Sequence, residues 1–192
     1  MGKPRPWELV ETEELQKCKV FAVSRSMARS PLTGEIHPFF WIEADEWVNV
    51  VPITPEDEVV MVRQYRHGSR EITLEIPGGI VDPGEAPAEA AARELLEETG
   101  YRAERVEAIG SVNPNPALFG NRCHTFLASG AVRVAEIQNT QLEETSVELV
   151  PVAEIPDRLR QGGIDHALVV AALYWYALDK QARRGGAEPG AQ

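Results

Sequence analysis

Three glutamates lie within five consecutive positions. Their residue type and spacing make them the best candidates in the sequence for a catalytic or metal-binding role. Glu94 precedes Glu97 by three residues and Glu98 by four, so in a helix their carboxylates share one face. Like charges at this spacing destabilise a helix by roughly a few tenths of a kcal/mol per pair, and the helix dipole disfavours anions in the last turns. Two interpretations stay open: a solvated acidic face, or a site for a divalent cation.

The potential metal ligands in this stretch are all oxygen atoms, which favours a hard cation. No Cys or His lies nearby, and carboxylate and carbonyl oxygens suit Mg²⁺ or Mn²⁺ better than Zn²⁺. Mg²⁺ usually keeps several waters and links a few carboxylates to the phosphates of a substrate. The same helix face would therefore hold a metal ion and a diphosphate together.

The residues around these glutamates resemble the Nudix box. The match comprises, without a gap and at the family's spacing, Gly79, Glu85, Arg93, Glu94, Leu95, Glu97, Glu98, Gly100 and Tyr101. Tyr101 is a mild departure, since the family usually has an aliphatic residue there. Seven fixed identities, each met at roughly 5–10% by composition, would coincide by chance about once in 10⁷ starts. The sequence is therefore identified as a member of the Nudix hydrolases.

The resemblance implies a fold, a cofactor and roles for single residues. The expected fold is α+β, a Nudix-type α/β/α sandwich with a mixed sheet and an N-terminal β extension, and the expected cofactor is Mg²⁺, with Mn²⁺ as a substitute. The expected metal ligands are Glu94, Glu97, Glu98 and the carbonyl of Gly78. Arg93 would orient the carboxylates by ion pairing. Arg93 and Glu97 count among the expected catalytic residues, whereas Glu85 is expected to be structural.

The resemblance also implies a general base on a loop well after the box. The segment Gln141-Leu-Glu143-Glu144-Thr145 precedes a predicted strand at residues 146–152. Because a general base must lie near the attacking water, Glu143 is the first candidate and Glu144 the second. An ordinary charged turn is the alternative interpretation.

Features outside the box resemble the ADP-ribose and nucleoside-diphosphate-sugar pyrophosphatases. Pro116 lies sixteen residues after Gly100, and Gln64-Tyr65-Arg66 is followed by Leu-Glu-Ile-Pro-Gly-Gly at residues 74–79. The resemblance implies hydrolysis of a diphosphate bond into nucleoside monophosphate and sugar phosphate, by homodimers that exchange N-terminal strands. Asn-Pro-Asn-Pro at residues 113–116 replaces the commoner Ser-Pro-Gly type of turn, which leaves ADP-ribose and a related nucleotide sugar both open.

The expected substrate contacts rest on the same resemblance. They are Arg66, Glu75, Trp47, Pro116 and Phe119. Arg66 and Glu75 are candidates for phosphate and for base or ribose contacts. Trp47 and Phe119 are candidates for stacking on the base, with core packing as the alternative for both. Two other functions stay open: a pyrophosphohydrolase of dinucleoside polyphosphates or capped RNA, and a Nudix-fold sensor that binds a nucleotide without cleaving it.

Strands, a helix, further strands and a final helix must position these residues. Apolar runs bounded by turn residues predict strands at residues 17–27, 36–42, 47–53, 58–65, 72–76, 106–112, 122–129 and 146–152. The box helix is predicted to begin at Pro87 and to end at a left-handed cap, Gly100. Its predicted apolar stripe is Ala88, Ala91, Ala92 and Leu95. A last helix is predicted at residues 165–183.

Composition limits the domain organisation and the partners. We expect a dimerising β-rich extension at residues 1–45, a Nudix hydrolase domain at 46–184 and a flexible tail at 185–192. The net charge of −11 and pI of about 4.9 argue against a nucleic-acid or anionic-membrane surface. No stretch approaches the roughly 20 apolar residues that span a bilayer, and no signal core follows the first basic residues, so we expect a cytoplasmic protein. The four histidines are isolated in the sequence.

Overall fold

The computed structural model describes residues 3–139 and 144–185. The chain divides into two compact units, Met1–Glu46 with Asn113–Arg122, and Trp47–Val112 with Cys123–Gln192. Apart from Gly185, the tail predicted at residues 185–192 lies outside the described ranges. None of the described helices combines the length and the hydropathy needed to cross a bilayer.

The first unit is built on a three-stranded antiparallel sheet. Its strands, in sheet order, are β1 (Glu8–Lys17), β2 (Phe21–Arg29) and β3 (Ile36–Ala44). All ten residues of β1 are exposed, and its carboxylates pair with arginines of β2: Glu8 with Arg29 at 3.0 Å and Glu13 with Arg25 at 2.5 Å. The prediction missed β1 because its few apolar residues do not alternate.

The second unit contains a seven-stranded mixed sheet. Its strands are β4 (Trp47–Ile53), β5 (Glu58–Arg66), β6 (Glu71–Glu75), β7 (Gly78–Ile80), β9 (Arg105–Val112), β10 (Cys123–Ser129) and β12 (Thr145–Pro151). Five of them follow the order β12-β5-β4-β10-β9, while β6 pairs with β5 and β7 with β4. Only β4 and β10 run parallel among these pairs of described strands. The two-residue strands β8 (Tyr101–Arg102) and β11 (Val132–Arg133) pair separately.

Helices cover both faces of this sheet. They are α1 (Pro87–Thr99), the short α2 (Ile155–Arg160) and α3 (Ala167–Gly185). Alternate residues of a strand point to opposite faces. Accordingly, Val48 and Val50 pack in a buried cluster with α1, whereas Val51 packs in a second buried cluster with α3. The second unit is therefore a three-layer α/β/α sandwich with a mixed sheet, which confirms the predicted fold class.

Helix α1 begins and ends where its sequence predicts. Pro87 is the first helical residue, and the Glu89 carboxylate accepts the N–H of Ala86 at 3.1 Å, which satisfies one of the free donors of the helix N-terminus. Gly100 has a φ of 73°, a left-handed conformation that glycine adopts without strain, and its N–H bonds to the carbonyl of Leu96 at 2.8 Å. Both ends of the box helix are thus determined locally.

The predicted apolar stripe of α1 is partly wrong. Ala88 and Ala92 are exposed, while Ala90, Ala91 and Leu95 are buried. Alanine is common on every side of this helix, so its positions define a face only weakly, and the packing against β4 decides which ones are buried. The buried face continues to Glu98, which is only 7% exposed. A metal-ligand candidate therefore lies on the inner side of the helix.

Candidate active site

Arg93 is the centre of the acidic face of α1. Its Nη1 donates to Glu94 Oε1 at 2.8 Å and to Glu97 Oε2 at 3.2 Å, so a single nitrogen draws two carboxylates together. Its Nε and Nη2 donate to the two oxygens of Glu85 at 3.0 Å each, and Nη2 also donates to the carbonyl of Ile80 at 3.0 Å. Hydrogen bonds with Glu85, and then with Glu94, raise the pKa of Arg93. The guanidinium is therefore a permanent cation at this position.

Glu85 joins the loop before α1 to the helix itself. Besides Arg93, it accepts the N–H of Asp82 at 3.1 Å, and its side chain is only 17% exposed. The hydrogen bonds from Arg93 hold the pKa of Glu85 below its ordinary value. Glu85 is thus ionised at neutral pH and, through Arg93, fixes the loop relative to the glutamates of the helix.

The strand β7 lies directly against the glutamates. The N–H of Gly78 donates to Glu98 Oε2 at 3.0 Å. A Cβ on Gly79 would overlap the carboxylate of Glu94, and a Cβ on Gly78 would overlap the carbonyl oxygen of Val48. Position 78 therefore requires glycine, because a side chain there would push β7 away from the backbone of β4, whereas a side chain at position 79 would displace the carboxylate of Glu94.

The same two glycines line a cleft of about 270 Å³, which we call the glycine cleft. Its lining residues are Trp47, Val48, Asn49, Arg66, Glu75, Ile76, Gly78, Gly79, Ile80, His166 and Leu168. Apolar and aromatic side chains occupy part of the wall, and Arg66 adds a cation to it. Such a mixture suits a ligand with one flat apolar part and one anionic part.

Within the glycine cleft, Arg66 and Glu75 form a bidentate ion pair. Arg66 Nε donates to Glu75 Oε1 at 2.8 Å and Nη2 donates to Oε2 at 2.7 Å, and the hydroxyl of Thr73 donates to Oε1 at 2.6 Å. Glu75 is only 2% exposed. Its burial alone would raise the pKa, but the hydrogen bonds from Arg66 and Thr73 lower the pKa of Glu75 overall. The carboxylate is therefore ionised and holds the guanidinium in one orientation.

Comparison with known proteins identifies the family. A protein-family model described as NUDIX domain matches residues 44–173. The chain belongs to the Nudix family. The matched stretch contains the box, the helix α1 and all the residues that line the glycine cleft.

Individual relatives of this Nudix chain agree with the assignment. It is 32% identical to a methanol dehydrogenase activator of Bacillus methanolicus, over 68% of this chain and 70% of that protein. It is 28% identical to an ADP-ribose pyrophosphatase of Mycobacterium tuberculosis, over 87% of this chain and 81% of that protein. The crystal structure of an ADP compounds hydrolase has the same fold, with a TM-score of 0.84, 22% identity, and coverage of 95% of this chain and 98% of that one. The chain is a Nudix pyrophosphohydrolase.

The structure of this Nudix enzyme brings together several residues that the sequence singled out. Trp47, Arg66, Glu75 and Gly78 all line the glycine cleft. Pro116 and Phe119 belong to the first unit, where Pro116 is exposed and Phe119 bridges to Ile42 of β3.

Of the two candidates for the general base, the structure describes only Glu144. Glu144 is exposed and directly precedes β12. Glu143 lies outside the described residues.

The donor chemistry of the Nudix box fits a divalent cation. Nudix hydrolases generally use divalent metal ions, and Glu94, Glu97, Glu98 and the backbone of Gly78 offer only oxygens for one. Across residues 3–139 and 144–185, no three His, Cys, Asp or Glu side chains converge as a complete ligand set. Arg93 holds Glu94 and Glu97, while Gly78 holds Glu98. Metal binding would therefore bring these carboxylates closer together than these hydrogen bonds hold them.

Sequence reasoning missed two polar residues of the glycine cleft. Asn49 donates through Nδ2 to the carbonyl of Leu168 at 3.1 Å and thereby links β4 to α3. His166 lines the cleft from the segment before α3, although in the sequence it looked isolated. The side chains that surround it come from β5 and β6, about a hundred residues earlier, so no local pattern indicates the contact.

Proposed function

We propose that this enzyme hydrolyses the diphosphate bond of ADP-ribose or a related nucleoside diphosphate sugar, giving a nucleoside monophosphate and a sugar phosphate. One observation carries the proposal. The glycines that lie against the glutamates of α1 also line a cleft that contains Arg66 and Trp47. Through these glycines, the acidic face of α1 adjoins a cleft that offers a cation for a phosphate and a flat apolar wall for a base.

Glu94, Glu97, Glu98 and the carbonyl of Gly78 would hold the metal, which we propose is Mg²⁺ with Mn²⁺ as a substitute. When bound, such an ion neutralises charge on the diphosphate and lowers the pKa of the attacking water. The protein's own contribution is positional. Arg93 holds Glu94 and Glu97 together, and Glu85 keeps Arg93 in place.

The residues of the glycine cleft would bind the substrate. Arg66 would contact a phosphate, and Glu75 would act through Arg66, because both of its oxygens accept hydrogen bonds from that guanidinium. Trp47 would stack on the base, and Pro116 and Phe119 stay proposed contacts from the first unit. Glu143, and after it Glu144, stays the proposed general base.

A substrate panel assayed with Mg²⁺ tests this proposal. ADP-ribose, an ADP-hexose and a diadenosine polyphosphate are supplied at equal concentration, and product release is measured with Mg²⁺, with Mn²⁺ and with excess EDTA. We expect ADP-ribose or the ADP-hexose to be cleaved fastest. We expect EDTA to abolish turnover, because without the cation the carboxylates and the diphosphate are both negative and repel each other.

Other outcomes of the panel favour the alternatives. Faster cleavage of the diadenosine polyphosphate would replace the proposed substrate class with the dinucleoside polyphosphates. Nucleotide that binds but stays intact after long incubation with Mg²⁺ would favour the sensor. Undiminished turnover in EDTA would contradict the metal site. The net charge of −11 argues against a long capped RNA as the substrate, since RNA binding needs a basic surface.

We also propose that two copies of the chain associate through the first unit. Strand β1 is exposed along its whole length, and the unit exposes large apolar side chains that a monomer would leave in water. They include Trp7, Leu9, Val10, Phe39 and Phe40, which are 44–64% exposed. Sedimentation equilibrium should give about twice the chain mass, and Phe40→Glu with Leu9→Glu should shift the protein to monomer. A wild-type monomer at micromolar concentration would contradict the proposal.

A further inference from the structure

A second cavity, of about 390 Å³, adjoins the glycine cleft, and Arg66 and His166 line both. Its remaining lining residues are His67, Gly68, Ser69, Glu71, Thr73 and Asp165. They come from the turn between β5 and β6 and from the segment before α3, so we call it the hairpin cavity. A hydrogen bond from the N–H of Arg70 to the carbonyl of Arg66 closes this turn at 2.7 Å.

The lining of the hairpin cavity does not suit a nucleobase. Among the described residues that line it, no side chain is aliphatic, and the aromatic ones are two imidazoles. Bases are normally held against aromatic or aliphatic walls, such as Trp47 and Leu168 provide in the glycine cleft. Carboxylates, hydroxyls and imidazoles instead match the donors and acceptors of a polyhydroxylated group. The lining therefore selects a sugar over a second base.

The charge of the hairpin cavity is negative. Glu71 and Asp165 bring two carboxylates, and within the described residues neither forms an ion pair with a lysine or arginine. The cation in the described lining, Arg66, is paired with buried Glu75 and is the proposed contact of the phosphate, so it does not compensate these two carboxylates. An anionic group in this cavity would therefore meet two uncompensated like charges.

His166 presents a donor at the junction of the two cavities. Its Nδ1 accepts the N–H of Leu168 at 3.3 Å, so the neutral ring carries its proton on Nε2. Across the described part of the chain, Nε2 has no hydrogen-bond acceptor. The ring therefore offers an N–H to a hydroxyl or to an oxygen of the ligand where the glycine cleft meets the hairpin cavity.

We propose that the hairpin cavity binds the sugar of the substrate and that Glu71 and Asp165 restrict the enzyme to sugars without negative charge. This inference rests on the proposed function, because the diphosphate in the glycine cleft would direct its sugar past Arg66 and His166. It assigns to two exposed acidic residues, far from the Nudix box in the sequence, the choice between neutral and acidic nucleotide sugars.

ADP-glucose and ADP-glucuronate test the inference, since they differ only in a hydroxymethyl group that is a carboxylate in the second. Each is measured as a substrate and as a competitive inhibitor of ADP-ribose cleavage. We expect the wild type to prefer ADP-glucose by about tenfold or more, because the carboxylates of Glu71 and Asp165 both repel a carboxylate placed between them. The double variant Glu71→Gln with Asp165→Asn should reduce this preference to about threefold or less, mainly through a lower KM or Ki for ADP-glucuronate.

Glu56→Gln is the matched control, because it removes one exposed carboxylate from the same unit outside both cavities and should keep the wild-type ratio. Equal affinity of the wild type for the two ligands, including no inhibition by either, would overturn the inference. So would a ratio that the double variant leaves unchanged. If ADP-ribose is not cleaved at all, the proposed function fails, and equilibrium binding of the same two ligands still decides whether the cavity excludes an acidic sugar.

Discussion

Glu98→Gln is expected to lower kcat by at least about 10²-fold while leaving the fold intact. Glu98 is the most buried of the three helix glutamates, and its Oε2 accepts the N–H of Gly78. A glutamine amide oxygen can accept the same hydrogen bond, so packing against β7 is preserved. The negative charge that a divalent cation requires is lost. The measurements are kcat on the best substrate of the panel, Mn²⁺ affinity by titration, and the thermal midpoint.

Glu89→Gln is the matched control for this experiment. It makes the same change on the same helix, and glutamine retains the acceptor for the N–H of Ala86. We expect its kcat and Mn²⁺ affinity to equal those of the wild type. A Glu98→Gln enzyme with wild-type turnover would remove Glu98 from the metal site, and a fall in Mn²⁺ affinity without a fall in kcat would separate metal binding from catalysis.

The box could be predicted from sequence because its geometry is local. Arg93 and Glu97 are one helical turn apart, and the ends of the helix depend on Pro87 and Gly100 within the same segment. Even Glu85 reaches Arg93 across only eight residues. Where spacing along one helix determines contact, residue types and intervals are enough to predict which side chains meet.

The cleft could be predicted only in part, because its walls depend on sheet topology. Arg66 and Glu75 meet through the pairing of β5 with β6, two elements that the sequence predicts as strands without predicting that they pair. Asn49 and His166 reach the same wall only because α3 packs on the face of β4 opposite to α1. Contacts between residues about a hundred positions apart leave no periodic signal in the sequence. For this reason the sequence does not indicate that His166 lies in the same cleft as Arg66 and the buried Glu75.

Exposed strands escape sequence patterns for a different reason. A half-buried strand alternates apolar and polar residues, but β1 buries neither face within its unit and carries mainly polar and charged residues. Its pairing with β2 includes ion pairs such as Glu8 with Arg29, which no one-dimensional pattern distinguishes from a solvated loop. The short elements β7 and α2 also carry too few residues to show a period.

Arg93→Ala is expected to destabilise the enzyme by about 2–4 kcal/mol and to lower kcat by about 10- to 100-fold. The substitution removes five hydrogen bonds and leaves the carboxylates of Glu85, Glu94 and Glu97 together without their shared cation. The side chain of Arg93 is 28% exposed, so solvent compensates only part of this loss. Urea unfolding gives the free energy of unfolding, and steady-state kinetics give kcat and KM.

Arg93→Lys separates charge from geometry in the same position. Lysine keeps the positive charge, but an ammonium group cannot donate from separate nitrogens to Glu85 on one side and to Glu94 and Glu97 on the other. We therefore expect it to recover about half of the lost stability and little of the lost kcat. The control Arg102→Ala, an exposed arginine just after α1, should change neither quantity. Full recovery of kcat by lysine would mean that Arg93 supplies charge alone, whereas unchanged kcat in Arg93→Ala would show that the glutamates find their catalytic orientation without it.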